Sequence, residues 1–474
     1  MTELAFPYLT LMIAVPLAAA LTILLGGAIV TRRVAIAAAL IDLGLAVGAL
    51  LQHVAQPAVV FSDPLDPLRP LLGHAVLRLD GLSSVLLVFA AAISLVSVMV
   101  APRTALRASL LRRNLFAQAV LIATFATREP WLLVVLWCLG MGPPLLELLS
   151  AGPEGRPALR VFSLYMAVCA ATFIGGVALM GGESAMVGSI LLVVAVMIRK
   201  GITPLHSWMP ELFEHVPLGV STLFNAPQVG AYVAATVLLP HEPAAVLDVV
   251  GVASILTALY GSAMALVQRD ARRAYGYLFM SQSALVMLGF ECLSLPGIAG
   301  SLAFWLSSSL SLAGLGLALW VLEARRGRLR VDRFQGGYER TPLLATTFVI
   351  FGVGTVGFPG TFGFVGQELL LDAAVVDYAW LAIGVALASA LGGLAVMRMF
   401  FALFTGAPTP VGGQSQRLHR REKVAFALLG IALLIFGIWP QPLVQNQADV
   451  AAELLRDREA TLGPAEAAPA AHAP

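Results

Sequence analysis

Long apolar segments recur along the whole chain and are separated by short polar connections. About fourteen of these segments reach roughly 20 residues, the length of an α-helix that crosses the hydrocarbon core of a bilayer. The pattern predicts an all-α polytopic membrane protein with about fourteen transmembrane helices. The composition agrees, because 59% of the residues are hydrophobic and only 12% are charged, whereas about a quarter of the residues are charged in soluble domains.

Lysine and arginine gather in every second connection between the apolar segments, and the connections between these carry almost none. The basic connections are Arg32–Arg33, Arg103–Arg113, Arg156–Arg160, Arg269–Arg273, Arg325–Arg333 and Arg417–Lys423. Basic loops of membrane proteins stay on the cytoplasmic side. With an even number of helices, the alternation predicts a multi-pass protein of the cell inner (plasma) membrane with both termini outside.

Proline and glycine interrupt two of the apolar segments. The first segment ends at Lys200 and is followed by Pro204, and the second contains the run from Gly357 to Phe364. Matched interruptions of this kind are typical of transporters that are built from inverted repeats. The sequence therefore predicts two inverted five-helix repeats, each with one broken helix.

The predicted helices group into four parts. They are residues 1–105 with transmembrane helices 1–3, 106–240 with the first five-helix unit, 241–406 with the second, inverted unit, and 407–474 with the last transmembrane helix and an external C-terminal tail. The tail becomes rich in alanine, proline and glutamate after Pro442, and is predicted to form a short amphipathic piece followed by disordered residues.

Lys200 is the first candidate for moving charge through the membrane. It directly follows an apolar segment, and an ionisable residue at membrane depth is rarely found without a function. An amine in a partly dry site can release and regain a proton near neutral pH. The alternative is a cation that snorkels to the lipid headgroups, which is the interpretation that we favour for Arg199. For Lys200 the functional interpretation is favoured, because the helix breaks there instead of leaving the membrane.

His206 is the second candidate, because an imidazole titrates in the physiological range and could pass protons between Lys200 and cytoplasmic water. The alternative is that His206 and Trp208 form an interfacial pair at the membrane surface. The charged residues that follow are predicted to be solvated loop residues, and these are Glu211, Glu214 and His215.

Four further polar residues lie in or near apolar segments. Asn225 interrupts the eighth segment and could line a hydrated path, although polar packing explains it equally well. Glu147 follows Pro143–Pro144 and either pairs with a cation of a neighbouring helix or is solvated. Glu368 and Asp372 are one helical turn apart after the second interruption, so they face the same side. Such a pair suits a proton acceptor, and a water-exposed helix end is the alternative.

Several chemical functions have no support in the sequence. There is no Walker loop, no dinucleotide fingerprint, no cluster of cysteine and histidine for a metal and no catalytic triad. Cys138, Cys169 and Cys292 lack the spacing of metal ligands and are predicted to pack as small apolar residues. A net charge of +2 does not indicate a nucleic-acid partner. We therefore predict no cofactor, no metal and no catalytic site of the chain's own.

Three motifs of this chain together resemble the antiporter-like proton-pumping subunits of respiratory complex I and of Mrp-type cation/proton antiporters. The motifs are Lys200 with PLHSWMP at 204–210 and GVS at 219–221, VQRDARR at 267–273 with Tyr277 and the pair Ser281 and Gln282, and GFPG at 357–360 with Gly363 and Phe364. The likeness covers roughly residues 80–440, and the combination of motifs is far more specific than any one of them.

The resemblance implies a fourteen-helix fold with two inverted five-helix units, and a line of lysines, histidines and a glutamate in the membrane plane that conducts protons. Lys200 falls on the lysine of the first unit, and Glu368 falls on the acidic residue of the second break. Cys138 stands where the family usually has a glutamate, Asn225 where many members have a histidine, and Gln367 where the second unit has a lysine.

These departures, together with the lack of ionisable groups in residues 304–309, favour a divergent member that is attached to another machine. The resemblance implies partners among other membrane and cytoplasmic subunits. Three interpretations remain open. The chain is a proton-conducting subunit of a multisubunit complex, at most a translocase subunit of an NADH:quinone oxidoreductase-like complex. Alternatively, it is the membrane subunit of an inorganic-carbon uptake complex with a zinc-containing cytoplasmic protein, or a scaffold that has lost conduction.

Overall fold

The computed structural model describes residues 2–26, 31–102, 107–181, 184–377, 379–407 and 417–463. Most of these residues are helical, and the predicted all-α class is confirmed. The helices are α1 (Tyr8–Gly26), α2 (Thr31–Ala55), α3 (Arg69–Leu72), α4 (Gly81–Val100), α5 (Ala108–Phe125), α6 (Pro130–Gly140), α7 (Gly142–Ser150), α8 (Arg156–Leu179), α9 (Ala185–Lys200), α10 (Trp208–His215), α11 (Leu218–Asn225), α12 (Val229–Val233), α13 (Leu239–His241), α14 (Ala244–Val267), α15 (Ala271–Glu291), α16 (Leu295–Arg326), α17 (Pro342–Thr355), α18 (Phe362–Asp377), α19 (Ala379–Phe404), α20 (Arg420–Ile438) and α21 (Gln441–Leu462). Three two-residue strands, β1 (Thr2–Glu3), β2 (Phe61–Ser62) and β3 (Arg78–Leu79), form a small sheet in the order β1-β2-β3.

Nine helices in the described part of the chain are long and apolar enough to cross a membrane. The pair α20 and α21 is bent by 79° at its junction and makes a tenth span if the two helices are counted as one. Helix α17 is apolar but shorter. The structure thus confirms a polytopic membrane protein, whereas the number of fourteen transmembrane helices stays a prediction.

Both predicted helix interruptions are present. Helix α9 ends at Lys200, and Gly201 follows with φ 67° before α10 begins. Helix α17 ends at Thr355, and Gly357 (φ 70°) and Gly360 (φ 88°) lie between it and α18. Glycine adopts positive φ without the steric cost of a Cβ atom, so these residues stop each helix where the sequence places them. The division into two five-helix units stays a prediction.

Helix α16 is the central element of the fold. Its residues from Gly297 to Leu322 are all buried, and it packs against α11, α15, α17, α18 and α21. Ser307 and Ser308 face the interior and donate their hydroxyls to carbonyls of the preceding turn. Serine is tolerated in a buried helix because its own helix satisfies the hydroxyl. The helix therefore places uncharged polar groups in the interior of the protein.

An ion-pair network holds the C-terminal helix α21 against the start of α4. The Arg128 guanidinium lies 2.7 Å from the Asp80 carboxylate and 3.2 Å from both Glu453 and Asp457 of α21. Burial by itself would raise the pKa of Asp80, but Arg128 and the backbone amide of Ser83 hold it below its usual value. Asp80 also caps α4 by accepting a hydrogen bond from that amide at 2.8 Å.

The amphipathic piece predicted near the C-terminus is a helix of 22 residues. Helix α21 packs against α13 and α16. Its Arg458 is buried and donates hydrogen bonds to the carbonyls of Leu239, at 2.6 Å, and Glu242, at 2.7 Å. Residues 464–474, where disorder was predicted, lie outside the described residues.

The prediction that Glu211 and Glu214 are solvated loop residues was wrong. Both are half-buried, and the Arg273 guanidinium lies 2.7 Å from Glu211 and 2.8 Å from Glu214. Arg328 adds a contact of 3.0 Å to Glu214. The ligand atoms of both acids lie within 4.8 Å of His215, but the arginines already compensate the acids, so the group does not indicate a metal site. Its pairs attach α10 to the start of α15 and to the connection that follows α16, which neighbours in the sequence alone do not reveal.

Candidate functional site around Lys200

Lys200 lies at the end of α9 with only 2% of its surface exposed. Its ammonium group donates a hydrogen bond to Oε1 of Gln228. Among the described residues no carboxylate forms an ion pair with Lys200. An uncompensated buried charge is strongly destabilising, and a lysine can relieve it by releasing a proton. The position therefore suits a group that gains and loses a proton.

Three residues fix the end of α9 inside the protein. Gly201 caps the helix in the left-handed conformation, and its N–H bonds back to the carbonyl of Ile198. Trp208 is fully buried, and its indole N–H donates to the same carbonyl at 2.7 Å. A Cβ atom on Gly230 would lie 2.8 Å from Cγ of Lys200, so glycine leaves the space for the lysine stem. Trp208 is thus a helix-end partner and not an interfacial aromatic residue.

Gln228 connects Lys200 to the central helix. It lies between α11 and α12 in the left-handed conformation, with φ 49°. Its Oε1 accepts from Lys200, and its Nε2 donates to Oγ of Ser309 at 2.8 Å. An amide passes on a hydrogen bond but cannot change its charge at neutral pH. The break between α11 and α12 therefore provides a neutral hydrogen-bonded bridge from Lys200 to α16.

The prediction that Arg199 snorkels to the headgroups was wrong. Arg199 is buried, its Nη2 donates to the carbonyl of Phe224 at 3.0 Å, and its guanidinium lies 3.7 Å from the centre of the Phe224 ring. The Trp137 ring lies 5.9 Å away. These cation–π contacts stabilise a desolvated guanidinium. Because α9 ends inside the protein, the side chain has no short route to the headgroups. Arg199 stays charged and supplies a fixed positive charge next to Lys200.

A small cavity borders Arg199. Its volume is about 40 Å³, and Asn114, Thr124 and Trp137 line it together with apolar side chains. A cavity of this size admits one or a few water molecules. Asn114 is buried, and neither atom of its amide group has a hydrogen-bond partner among the described residues. Sequence reasoning missed this residue, although the amides Asn114 and Gln118, one turn apart in an apolar segment, were a usable signal.

Two of the predicted path residues lie apart from the hydrogen bonds of Lys200. Glu147 forms an ion pair with Arg113 of α5 at 2.5 Å, so the alternative of a cation on a neighbouring helix holds and the solvated one does not. His206 is half-buried, and its ring packs edge-on against Tyr260 at 5.1 Å between ring centres. The proposed exchange of protons between His206 and Lys200 stays a prediction.

The remaining predicted residues also have other surroundings. Asn225 is buried, and its Nδ2 donates to the carbonyl of Ser221 in its own helix at 2.9 Å. Glu368 and Asp372 are both exposed on α18, on one side of the helix as their spacing predicted. The exposed alternative therefore applies to Glu368 as well as to Asp372. Gln367 lies partly buried beside the second break.

Comparison with known proteins gives the family. A family model for the transmembrane region of NADH:quinone oxidoreductase and Mrp antiporter subunits matches residues 161–403, just over half of the chain. The chain belongs to this family. Subunit N of the NADH-quinone oxidoreductase of Acidithiobacillus ferrooxidans is 26% identical over 271 residues, which is 56% of each chain. Subunit N of Thiobacillus denitrificans is 26% identical over 265 residues, or 54% of each chain. The chain spans about half the length of the curated relatives that it matches.

Chains of solved membrane complexes match over a longer range. A chain of respiratory complex I from Thermus thermophilus superposes with a TM-score of 0.83 and 25% identity. The match covers 95% of this chain and 99% of the Thermus chain. A chain of the Mrp complex from a Dietzia species gives 0.82 with 19% identity, over 94% and 97% of the two chains. A chain of an archaeal membrane-bound sulfane sulfur reductase gives 0.81 with 17% identity, over 96% and 99%. The last two show a shared fold.

Proposed function

We propose that this chain is a proton-conducting, cation/proton antiporter-like membrane subunit of a multisubunit complex that is related to the pumping subunits of complex I. The observation that carries the proposal is Lys200, a fully enclosed amine at a helix break that is hydrogen-bonded to a neutral amide. Membership of the antiporter-like family supports it. The subunit N relatives and the complex I and Mrp neighbours support the assignment to a larger complex.

In the proposed step, Lys200 gains and loses the proton. The protonated amine donates to Gln228, and the fixed charge of Arg199 repels that form and so favours release. After release, the neutral amine still forms a hydrogen bond with the amide, so neither state leaves a buried polar group unpaired. The step needs a proton acceptor that reaches Lys200 through water, because Gln228 cannot take up charge.

We propose that another subunit covers α18 beside the second break. Glu368 and Asp372 are exposed there, next to the exposed side chains of Val375 and Val376. A carboxylate that faces lipid is unfavourable unless water or a protein partner contacts it. Acids and apolar side chains on one helix face thus favour a protein neighbour with complementary charge over lipid.

Purification from native membranes in mild detergent tests the proposed assembly. We expect other membrane and cytoplasmic subunits to co-purify, and an NADH:quinone oxidoreductase-like complex would bring iron-sulfur and quinone-binding subunits. A large zinc-containing cytoplasmic protein in their place would identify an energy-coupled inorganic-carbon uptake complex. A chain that purifies alone under conditions that preserve known complexes of this family would contradict the proposal.

We also propose that both termini lie outside the cytoplasm, because the basic connections alternate along the chain. A periplasm-active phosphatase fused to the C-terminus should then be active, and a cytoplasm-only fluorescent reporter at the same place should be dark. The same two reporters fused after Thr405, which precedes the basic connection at 417–423, are the matched control and should give the opposite result. Fluorescence at the C-terminus would overturn the orientation.

A further inference from the structure

Helix α2 carries an acid in its middle that the proposed function does not use. Asp42 lies eleven residues after Thr31 and thirteen before Ala55, about 16 Å and 20 Å from the two helix ends at 1.5 Å per residue. It is fully buried, with 0% of its surface exposed. An ionisable residue at such depth is unfavourable and marks a functional position more often than a structural one.

One amide holds this acid. Nε2 of Gln118, on α5, donates to Oδ2 of Asp42 at 2.6 Å. The other carboxyl oxygen, Oδ1, is buried and has no hydrogen-bond partner among the described residues. A carboxyl group that served only to tie α2 to α5 would satisfy both oxygens. The free oxygen leaves a place where a proton or a water molecule can bind.

The same face of α5 leads to the cavity beside Arg199. Asn114 lies one turn before Gln118, and its buried amide has no partner of its own among the described residues. It lines the cavity of about 40 Å³, which also borders Arg199 and Val229, the residue after Gln228. Water in this cavity would satisfy the Asn114 amide. Polar groups thus continue from α2 through α5 towards the lysine.

We propose that Asp42 is the proton acceptor for Lys200, and that the two groups exchange protons through water that Gln118 and Asn114 hold. This inference rests on the proposed function, because it names the acceptor that the Lys200 step requires. The proton leaves the Lys200 ammonium and ends on the Asp42 carboxylate, which leaves a neutral amine and a neutral acid. No other bond changes.

Infrared difference spectroscopy of the purified protein tests Asp42 without measuring transport. We expect the C=O stretch of a protonated, buried carboxyl group to titrate with pH and to disappear in Asp42→Asn. The matched control Asp248→Asn, an acid replaced on another apolar helix, should leave the band in place. The midpoint of the band should move in Lys200→Ala and in Asn114→Leu. A band that does not titrate, or has the same midpoint in both of these variants as in the wild type, would overturn the proposal.

Transport separates this inference from the proposed function. We expect proton flux to fall to background in Asp42→Asn and to recover in part in Asp42→Glu, which keeps the carboxyl group. Background flux in Lys200→Ala with full flux in Asp42→Asn would refute the role of Asp42 alone. Full flux in both variants would refute the proposed function, while the infrared titration would still decide whether Asp42 and Lys200 are coupled.

Discussion

Replacing Lys200 by alanine is expected to reduce proton flux to the level of vesicles that lack the protein. The substitution removes the buried amine that titrates, and Gln228, which loses its donor, keeps its hydrogen bond to Ser309. No charge is left buried without a partner, so assembly should survive the change. The measurement is the flux of protons into proteoliposomes that contain the purified complex, followed with a pH-sensitive dye inside the vesicles.

The chain supplies a matched control for this experiment. It contains two lysines, and the second, Lys423, is exposed at the start of α20. Lys423→Ala should therefore keep wild-type flux. Lys200→Arg should fail like Lys200→Ala, because a guanidinium does not release its proton. Full flux in Lys200→Ala would show that the chain is a scaffold and that Lys200 is a remnant.

The sequence predicts those features that depend on local chemistry. The apolar segments are read directly as membrane-spanning helices, because their length has to match the bilayer. The two breaks are equally local, since Gly201 and Pro204 stop one helix, and Gly357, Pro359 and Gly360 stop the other. Lys200 is found by the same reasoning, because it is the charge that comes directly at a break.

The features that the sequence does not predict depend on which helices become neighbours. Arg199 and Lys200 are adjacent in the chain, and nothing local shows that both point into the interior. The interior position of Arg199 depends on its packing against the Phe224 ring. Glu211 is paired with Arg273, which lies at the start of α15, 62 residues further along the chain. Asp42 gains its amide partner from α5, 76 residues away.

The two buried cations have different consequences for the site. A guanidinium holds its charge through every step, so Arg199 sets a constant field, and the amine next to it is the group that can respond to a proton. Gln228 preserves these separate roles, because its amide can form a hydrogen bond with both the protonated and the neutral amine of Lys200 and favours neither form by charge. The neutrality of residue 228 is thus as important to the proposed step as the amine itself.

Gln228→Glu should therefore abolish proton flux, although it replaces a single NH₂ group by oxygen. The new carboxylate would lie within hydrogen-bond distance of Nζ of Lys200 and would form a buried ion pair, which keeps the proton on the amine. Folding should be retained, because the pair is compensated and the hydroxyl of Ser309 can turn to donate to the carboxylate. The assembled complex should be recovered in normal yield and show background flux.

A glutamate at an exposed glutamine is the control for the added charge, and Gln441→Glu at the start of α21 should keep wild-type flux. Gln228→Leu separates charge from hydrogen bonding, because it removes the acceptor and leaves the protonated amine without a partner. A buried polar group that is left without a hydrogen-bond partner costs about 1–3 kcal/mol, and more when it is charged, so this variant should lower the yield of the assembled complex as well as the flux. Wild-type flux in Gln228→Glu would mean that Lys200 keeps its charge during transport, and the proton would then have to pass by a route that avoids the amine.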